Sequence, residues 1–278
     1  MTQRILIVGG GSAGWLCAAY LAKMFGASKE ITLVEAPDIG AIGVGEGSFP
    51  SLRATLAALG IPEAEFVRET SATFKQGITF RNWLHSDDHY FHPFSLPSQR
   101  PGGPELLPYW LQGAAGKDVG FAAAATMQKR VADASHAPKR PSDADFMGPL
   151  NYAYHFDAGK FAALLSTHAQ SLGVKHVQAT VERVALDEEG AIGAVHTKEA
   201  GVLTADLYID CTGFRAALIG EALGTAFRNI NDVLFVDRAL AMQVPYERPD
   251  APIASYTIAS AHEAGWTWDI GLHERRGI

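Results

Sequence analysis

The chain opens on an unbroken apolar run, Ile5-Leu6-Ile7-Val8, that passes straight into a glycine-rich turn. Such a run predicts a short strand buried on both faces. Over residues 13–25, Leu16, Ala19 and Tyr20 recur at helical spacing and Lys23 stands near the end, so a helix is expected. Ile31-Thr32-Leu33-Val34 predicts a second strand, closed by Glu35. Two strands joined by a helix make a right-handed parallel βαβ unit. Residues 51–59 and 62–70 predict helices, the first ended by Gly60, and 71–83 predict extended chain around Gly77-Ile78-Thr79-Phe80. Phe161, Leu164, Leu165 and His168 then mark an amphipathic helix over 157–172. Residues 174–186 and 191–197 predict a strand pair turning at Glu188-Glu189-Gly190. Further strands are expected at 203–210, 233–245 and 254–260.

Between 84 and 150 the pattern breaks down. Prolines recur, and His85, His89 and His92 cluster with Tyr90, Phe91 and Phe94. This stretch predicts a loop-rich insertion on the substrate side, with one short alanine-rich helix over 120–134. Three regions follow: 1–83, a nucleotide-binding βαβ region; 84–150, the insertion; and 151–278, the remainder of the module.

Composition narrows the class without changing this picture. The 278 residues are 47% hydrophobic, with mean hydropathy +0.03 and a net charge of −7. That is a globular composition, and without a basic cluster it argues against nucleic acid. Cys17 and Cys211 lie in apolar surroundings and are expected to be reduced, with no disulfide or metal site. Only four residues precede the first strand, and no apolar run is long enough to cross a bilayer. No signal peptide, no membrane association and a cytoplasmic location are therefore expected.

Candidate chemistry begins at Gly9-Gly10-Gly11-Ser12-Ala13-Gly14, which contains the spacing G-x-G-x-x-G at Gly9, Gly11 and Gly14. The first glycine permits a tight turn, the second lets backbone approach a pyrophosphate, and the third allows close helix–strand packing. The helix N-terminus then faces the phosphate charge. Glu35 stands 21 residues after Gly14, where an acid accepts hydrogen bonds from ribose hydroxyls. The unit alone suits NAD or FAD. A late strand ending Asp210-Cys211-Thr212-Gly213-Phe214 brings backbone back toward the same cofactor, which favours FAD.

With these motifs in place, the whole chain resembles the flavin-dependent tryptophan halogenase family. Gly9–Trp15 resembles its cofactor motif, and Ile42-Gly43-Val44-Gly45-Glu46-Gly47-Ser48-Phe49-Pro50 resembles its flavin-covering loop, usually written G-V-G-E-A-T-I-P. Gly47, Ser48 and Phe49 depart from that form. Thr73–Ile78 resembles the segment holding the family's active-site lysine, here Lys75, and Tyr154-His155-Phe156-Asp157 matches a further signature. The most specific piece is Gly265-Trp266-Thr267-Trp268-Asp269-Ile270, against the family's W-x-W-x-I-P. Gly271 stands where proline is usual, which fits a divergent branch.

The resemblance implies a Rossmann-like α/β fold of the glutathione-reductase or hydroxylase type. FAD contacts would fall on Gly10, Ser12, Ala13, Glu35, Glu46 and Gly47, and near Val181, beside Gly9, Gly11, Gly14, Asp210 and Gly213. His92 and Phe94 resemble substrate-sandwiching residues, although a solvated loop histidine is an equal reading of His92. It also implies that reduced FAD, supplied by a separate flavin reductase, reacts with O2 and a halide ion. The resulting hypohalous acid reaches Lys75 and halogenates an aromatic small molecule such as tryptophan or an indole. A homodimer is left open. The family's active-site glutamate and halide loop lie C-terminal to W-x-W and outside this chain, so this chain alone is expected to turn over poorly. An FAD aromatic hydroxylase and a flavin-binding protein without turnover are the alternatives.

Overall fold

The computed structural model describes residues 3–40, 43–97 and 102–278. Ile42, the first residue of the covering-loop motif, and Pro101 of the insertion lie outside the described residues. The chain forms two compact units: Met1–Gly43 with Ala158–Asp237, and Val44–Asp157 with Arg238–Ile278. This division differs from the expected boundaries at 83/84 and 150/151. The second unit collects the strands of the covering loop and the lysine segment in one sheet and those of the insertion and the W-x-W motif in another.

The first unit is built on a four-stranded parallel sheet in the order Leu207–Asp210, Gln3–Val8, Lys29–Glu35, Lys175–Gln178. The apolar run Ile5–Val8 is central and fully buried, as its composition requires. Helix Ser12–Phe25 turns Trp15, Ala18, Ala19 and Ala22 inward and packs against helix Ala158–Ser171. Val181–Leu186, Ile192–Thr197 and Gly201–Leu203 form a small antiparallel sheet. A core of Leu6, Val8, Val34, Ala179, Val195 and Leu218 joins it to the parallel one.

Two expected strands are each divided between these sheets. Residues 174–186 break at Ala179-Thr180: the Ala179 N–H donates to Glu35 O at 2.8 Å, and the Thr180 N–H donates to the Glu199 carboxylate at 2.6 Å. Residues 203–210 break where Asp206 accepts from the Arg4 backbone N–H at 2.8 Å and from its guanidinium at 3.0 Å. Hydrophobic alternation runs through both breaks because both halves are half-buried strands.

In the second unit, Ala153–Phe156 lies between Glu46–Gly47 and Thr73–Lys75, antiparallel to both. A larger sheet runs in the order Gln243–Pro245, Arg275–Gly277, Gly265–Gly271, Thr257–His262, Gly77–Arg81, His89–Pro93. Helices Ser51–Leu59 and Glu63–Glu69 form as expected, the first stopped by Gly60 at φ +80°. The single helix expected over 120–134 is instead two, Phe121–Ala125 and Gln128–Asp133. Thr126 between them is extended, and the buried Gln128 side chain is drawn away to accept from Ser95 N at 2.6 Å and to donate to Asn151 O. Of the strand expected over 233–245, only Gln243–Pro245 forms, against Arg275–Gly277. Val233, Leu234, Phe235 and Val236 are exposed instead.

A polar cluster gathers around Glu63. Glu63, buried, accepts from the hydroxyls of Tyr152 at 2.7 Å and Tyr154 at 2.6 Å, from Phe146 N at 2.8 Å, and from the Lys139 ammonium. Burial pushes the Glu63 carboxyl up, but these donors, Lys139 foremost, hold it below the usual carboxylate range. The same carboxylate keeps Tyr152 and Tyr154 protonated far above neutrality, burial being the larger cause.

Candidate functional site

In the first unit the glycine turn has the geometry that its spacing demands. Gly9 has φ +111°, and a Cβ there would overlap the Cys211 carbonyl; at Gly14 it would overlap Gly9 O. At Gly10 it would run into the Glu35 carboxylate. At Gly11 a Cβ would meet nothing within 4 Å. Three of the glycines are thus demanded by packing within the chain, while Gly11 leaves its space open at the helix N-terminus. That is the cradle a pyrophosphate needs.

Ser12 and Ala13 open the helix, and the Ser12 hydroxyl donates to Ala158 O at 3.3 Å. Glu35 Oε1 lies 2.7 Å from His176 Nε2, and the His176 ring stands edge-on to Trp15 at 4.9 Å. His176 was not foreseen, because its place beside Glu35 comes from pairing of the two parallel strands. The Asp210 carboxylate is taken up internally, accepting from Thr212 N at 3.0 Å, Thr212 Oγ1 at 2.6 Å, Leu218 N at 2.8 Å and Ile219 N at 2.9 Å. Its structural contribution is to shape the turn that presses Cys211 onto Gly9, with Gly213 at φ +64°. Val181 begins its strand beside a surface hollow of about 130 Å³, which Arg215 and Glu221 also line. These residues could hold the adenosine and pyrophosphate of FAD.

In the second unit, Lys75 ends the strand Thr73–Lys75 opposite Ala153 and is 4% exposed. Its Nζ lies 5.3 Å from the Phe49 ring centroid and 5.5 Å from that of Phe94. Among the described residues it makes no ion pair. Burial lowers its pKa to about 8, so both amine forms are accessible near neutrality. Its neighbour Phe74 points the other way, onto Tyr152 and Tyr154, since successive strand residues face opposite sides. Phe49 and Phe94, not Phe74, therefore flank the amine.

His155 is fully buried near Lys75, with Nε2 2.8 Å from Thr257 Oγ1. Burial, then the Lys75 charge, pushes its pKa down to about 3, so it is neutral. Glu46 and Gly47 form the short strand paired with Phe156 and His155. A Cβ on Gly47 would stand 2.9 Å from Lys75 Nζ. Phe94 thus comes to the lysine, whereas His92 lies exposed on its strand, opposite Ile78.

Trp266 and Trp268 lie on one strand with ring centroids 5.3 Å apart; Trp266 also meets Trp83 at 6.0 Å, and Ile270 is buried. The Trp268 indole nitrogen is buried and unpaired among the described residues. At Gly271, a Cβ would stand 2.8 Å from Ile253 Cγ2 and 3.2 Å from the Tyr246 hydroxyl. Local packing thus disfavours the usual proline.

A protein-family model described as tryptophan halogenase matches residues 4–278. This chain belongs to the tryptophan halogenase family. The crystal structure of a tryptophan halogenase from Shewanella frigidimarina superposes with a TM-score of 0.91 at 43% identity, covering 99% of this chain and 55% of that one. The structure of BrvH, a flavin-dependent halogenase from Brevundimonas sp. BAL3, gives a TM-score of 0.87 at 34% identity, covering 99% and 55%. Among curated sequences, the tryptophan 7-halogenase RebH of Lentzea aerocolonigenes is 40% identical over 292 residues, 99% of this chain and 54% of its own length. The chain thus spans about half the length of the curated relatives it matches. The fold is the FAD-binding Rossmann-like α/β fold that the family resemblance implied. Among the described residues of this halogenase-family chain, no helix is long and apolar enough to cross a membrane.

Proposed function

We propose that this chain carries the flavin-binding and lysine-bearing part of an FAD-dependent halogenase acting on an electron-rich aromatic such as tryptophan or an indole. The observation that carries the reading is Lys75: a buried amine, without an ion pair among the described residues, ringed by aromatic side chains and lowered to about 8. A structural lysine at a strand end would ordinarily reach solvent or a carboxylate. Family membership and the open cradle at Gly11 support FAD as the cofactor. When bound and reduced by a flavin reductase, FAD with O2 and halide would supply hypohalous acid.

This chain's residues then act on that oxidant. As an ammonium, Lys75 donates a hydrogen bond to the hypohalous oxygen, which leaves the halogen more electrophilic. As a neutral amine it takes the halogen, forming N–X and releasing water. In either form the aromatic carbon attacks halogen as the O–X or N–X bond breaks, its electron pair leaving with oxygen as water or returning to the Lys75 amine; a C–X bond forms, and the ring loses its proton. The neutral His155 adds no second charge beside the amine. Phe49 and Phe94 limit the access of water, which would hydrolyse N–X back to hypohalous acid and amine.

The test is made on the full-length protein and compares product by mass spectrometry with flavin reoxidation by stopped flow, using FAD, a reductase, bromide and L-tryptophan or indole. Lys75→Ala should abolish brominated product while reduced flavin is still oxidised by O2. Lys75→Arg should fail as well, because a guanidinium does not offer the amine's chemistry. Near-normal bromination by Lys75→Ala, or hydroxylated product in place of brominated, would sink the proposal.

A further inference from the structure

We propose that Asn151 is a positioning residue for Lys75: its side-chain amide holds the Phe94 backbone so that the Phe94 ring stays over the amine. The inference rests on the reading of Lys75 given above, and Asn151 acts only through Phe94.

Phe94 follows the edge strand His89–Pro93, so its backbone needs holding from outside that sheet. One hold comes from the lysine's neighbour, the Phe94 N–H donating to Gln76 O at 3.1 Å. Gln76 is buried and fixed in turn. Its N–H donates to Ser255 O at 2.7 Å, and its Nε2 donates to His136 O at 2.8 Å and Ser255 Oγ at 2.9 Å. The other hold passes through Asn151. Its Nδ2 donates to Phe94 O at 2.9 Å, and its N–H donates to Ser95 Oγ at 3.0 Å. Its carbonyl accepts from Gln128 Nε2, while Gln128 Oε1 accepts from Ser95 N at 2.6 Å. Three polar groups of Asn151 thus end, directly or through Gln128, on residues 94 and 95.

The fourth group decides which way round the amide sits. Asn151 Oδ1 accepts from Arg53 Nη2. A guanidinium only donates and a peptide carbonyl only accepts, so the amide oxygen must face Arg53 and its nitrogen Phe94. Arg53 is itself anchored: Nη1 donates to Phe146 O at 3.0 Å, and the guanidinium lies 4.2 Å from the Tyr152 ring centroid. The amide is therefore an oriented link, polarised by a fixed cation at one end and tied to the Phe94 carbonyl at the other.

That link controls the surroundings of the amine. Phe94 is one of two rings within cation–π range of Nζ, with its centroid at 5.5 Å. On the strands packed against Lys75, His155 shares its side and is neutral, while Glu46, next to Gly47, faces the opposite side. Burial is what lowers the amine's pKa, and burial is what a displaced Phe94 ring would undo.

Substitution separates the two ends of the link. Asn151→Asp keeps an acceptor for Arg53 but sets an oxygen against Phe94 O; Asn151→Ala removes both ties without adding charge. Two readouts are taken on the full-length, FAD-loaded protein and on both variants. One is the pH profile of Lys75 acylation by acetic anhydride, read by peptide mass spectrometry; the other is steady-state bromination of indole. In the parent the profile should turn at about 8. In both variants the turning point should move up toward the ordinary 10.5, and the high-pH rate should rise about threefold as the cover opens. The KM for indole should rise about tenfold, with a smaller fall in kcat. Melting of Asn151→Asp should stay near the parent's, because Arg53 keeps its partner. If Asn151→Ala does not fold, the split between KM and kcat in Asn151→Asp decides alone. A turning point that moves only in Asn151→Asp while Asn151→Ala folds reports the added charge and overturns the proposal. Lower melting with an unchanged acylation profile marks a purely structural amide and overturns it too. Absence of bromination by the parent overturns the halogenase reading instead, because acylation is read without turnover.

Discussion

Gly11 and Gly14 belong to one motif but answer to different forces, and substitution separates them. Gly14→Ala drives a methyl into the Gly9 carbonyl and should lower the melting temperature. Gly11→Val meets open space at ordinary extended backbone, φ −73° and ψ −176°, and should leave melting nearly unchanged while FAD affinity falls at least about tenfold. Fluorescence titration with FAD beside thermal unfolding checks the pair; FAD binding by Gly11→Val at the parent's affinity would remove the turn from the cofactor site. Lys75 yields a second residue-scale expectation. Its folded pKa of about 8 lies below the ordinary 10.5, so the folded state holds this proton less tightly than the unfolded chain does. Below pH 8 the buried charge costs on the order of 3 kcal/mol, a cost relieved as pH rises from 8 to 10.5. Lys75→Met should therefore be more stable than the parent at pH 7, and the gain should shrink toward zero by pH 10.5 in urea unfolding. The glycine turn was legible because its demands act within a few residues, and Glu35 because the next strand pairs in register with the first. Phe49 at Lys75 was not, since that contact joins a loop to a strand across the sequence; the departures from the covering-loop pattern were the only signal.

At the scale of elements, the carboxylate of Glu63 gathers the start of its helix, the tyrosines of the strand Ala153–Phe156 and its approach, and Lys139 of the insertion. Replacing that carboxylate with a neutral amide, Glu63→Gln, leaves the Lys139 ammonium without its anion in a buried place and should cost about 3 kcal/mol at pH 7. Since the folded carboxyl titrates below its ordinary value, its stabilisation is present above that value and lost as pH falls through the folded one. The stability gap between parent and Glu63→Gln should thus narrow on going from neutral pH to below about 4. Unfolding in urea at both pH values decides it, and an unchanged gap would mean that the charge carries none of the effect. Helix and strand identity was largely readable from periodicity, but breaks were not. Thr126 interrupts a helix where the side chain of Gln128 is tied to Ser95 N and Asn151 O instead. The apolar stretch at 233–236 carries strand-like residues without a neighbouring strand to pair with among the described residues, and periodicity cannot supply one.

For the whole molecule, the glycine turn with its acid belongs to one unit and the buried lysine to the other. Composition shifts at 84 and 150 suggested an insertion flanked by one continuous module. Strand pairing divides the chain differently, because Thr257–His262 pairs with Gly77–Arg81 and Leu207–Asp210 with Gln3–Val8. That last ladder has a kinetic consequence. The first strand leaves the ribosome with its helix and its next strand, but its other flank stays bare until Leu207 emerges to meet Ile5. Until then the central strand is an edge, with unsatisfied backbone groups and an apolar face, and Gly9 lacks the Cys211 carbonyl that packs against it. Nascent chains arrested before residue 207 should therefore be the aggregation-prone species of this protein's synthesis, and the nucleotide cradle among the last features to mature.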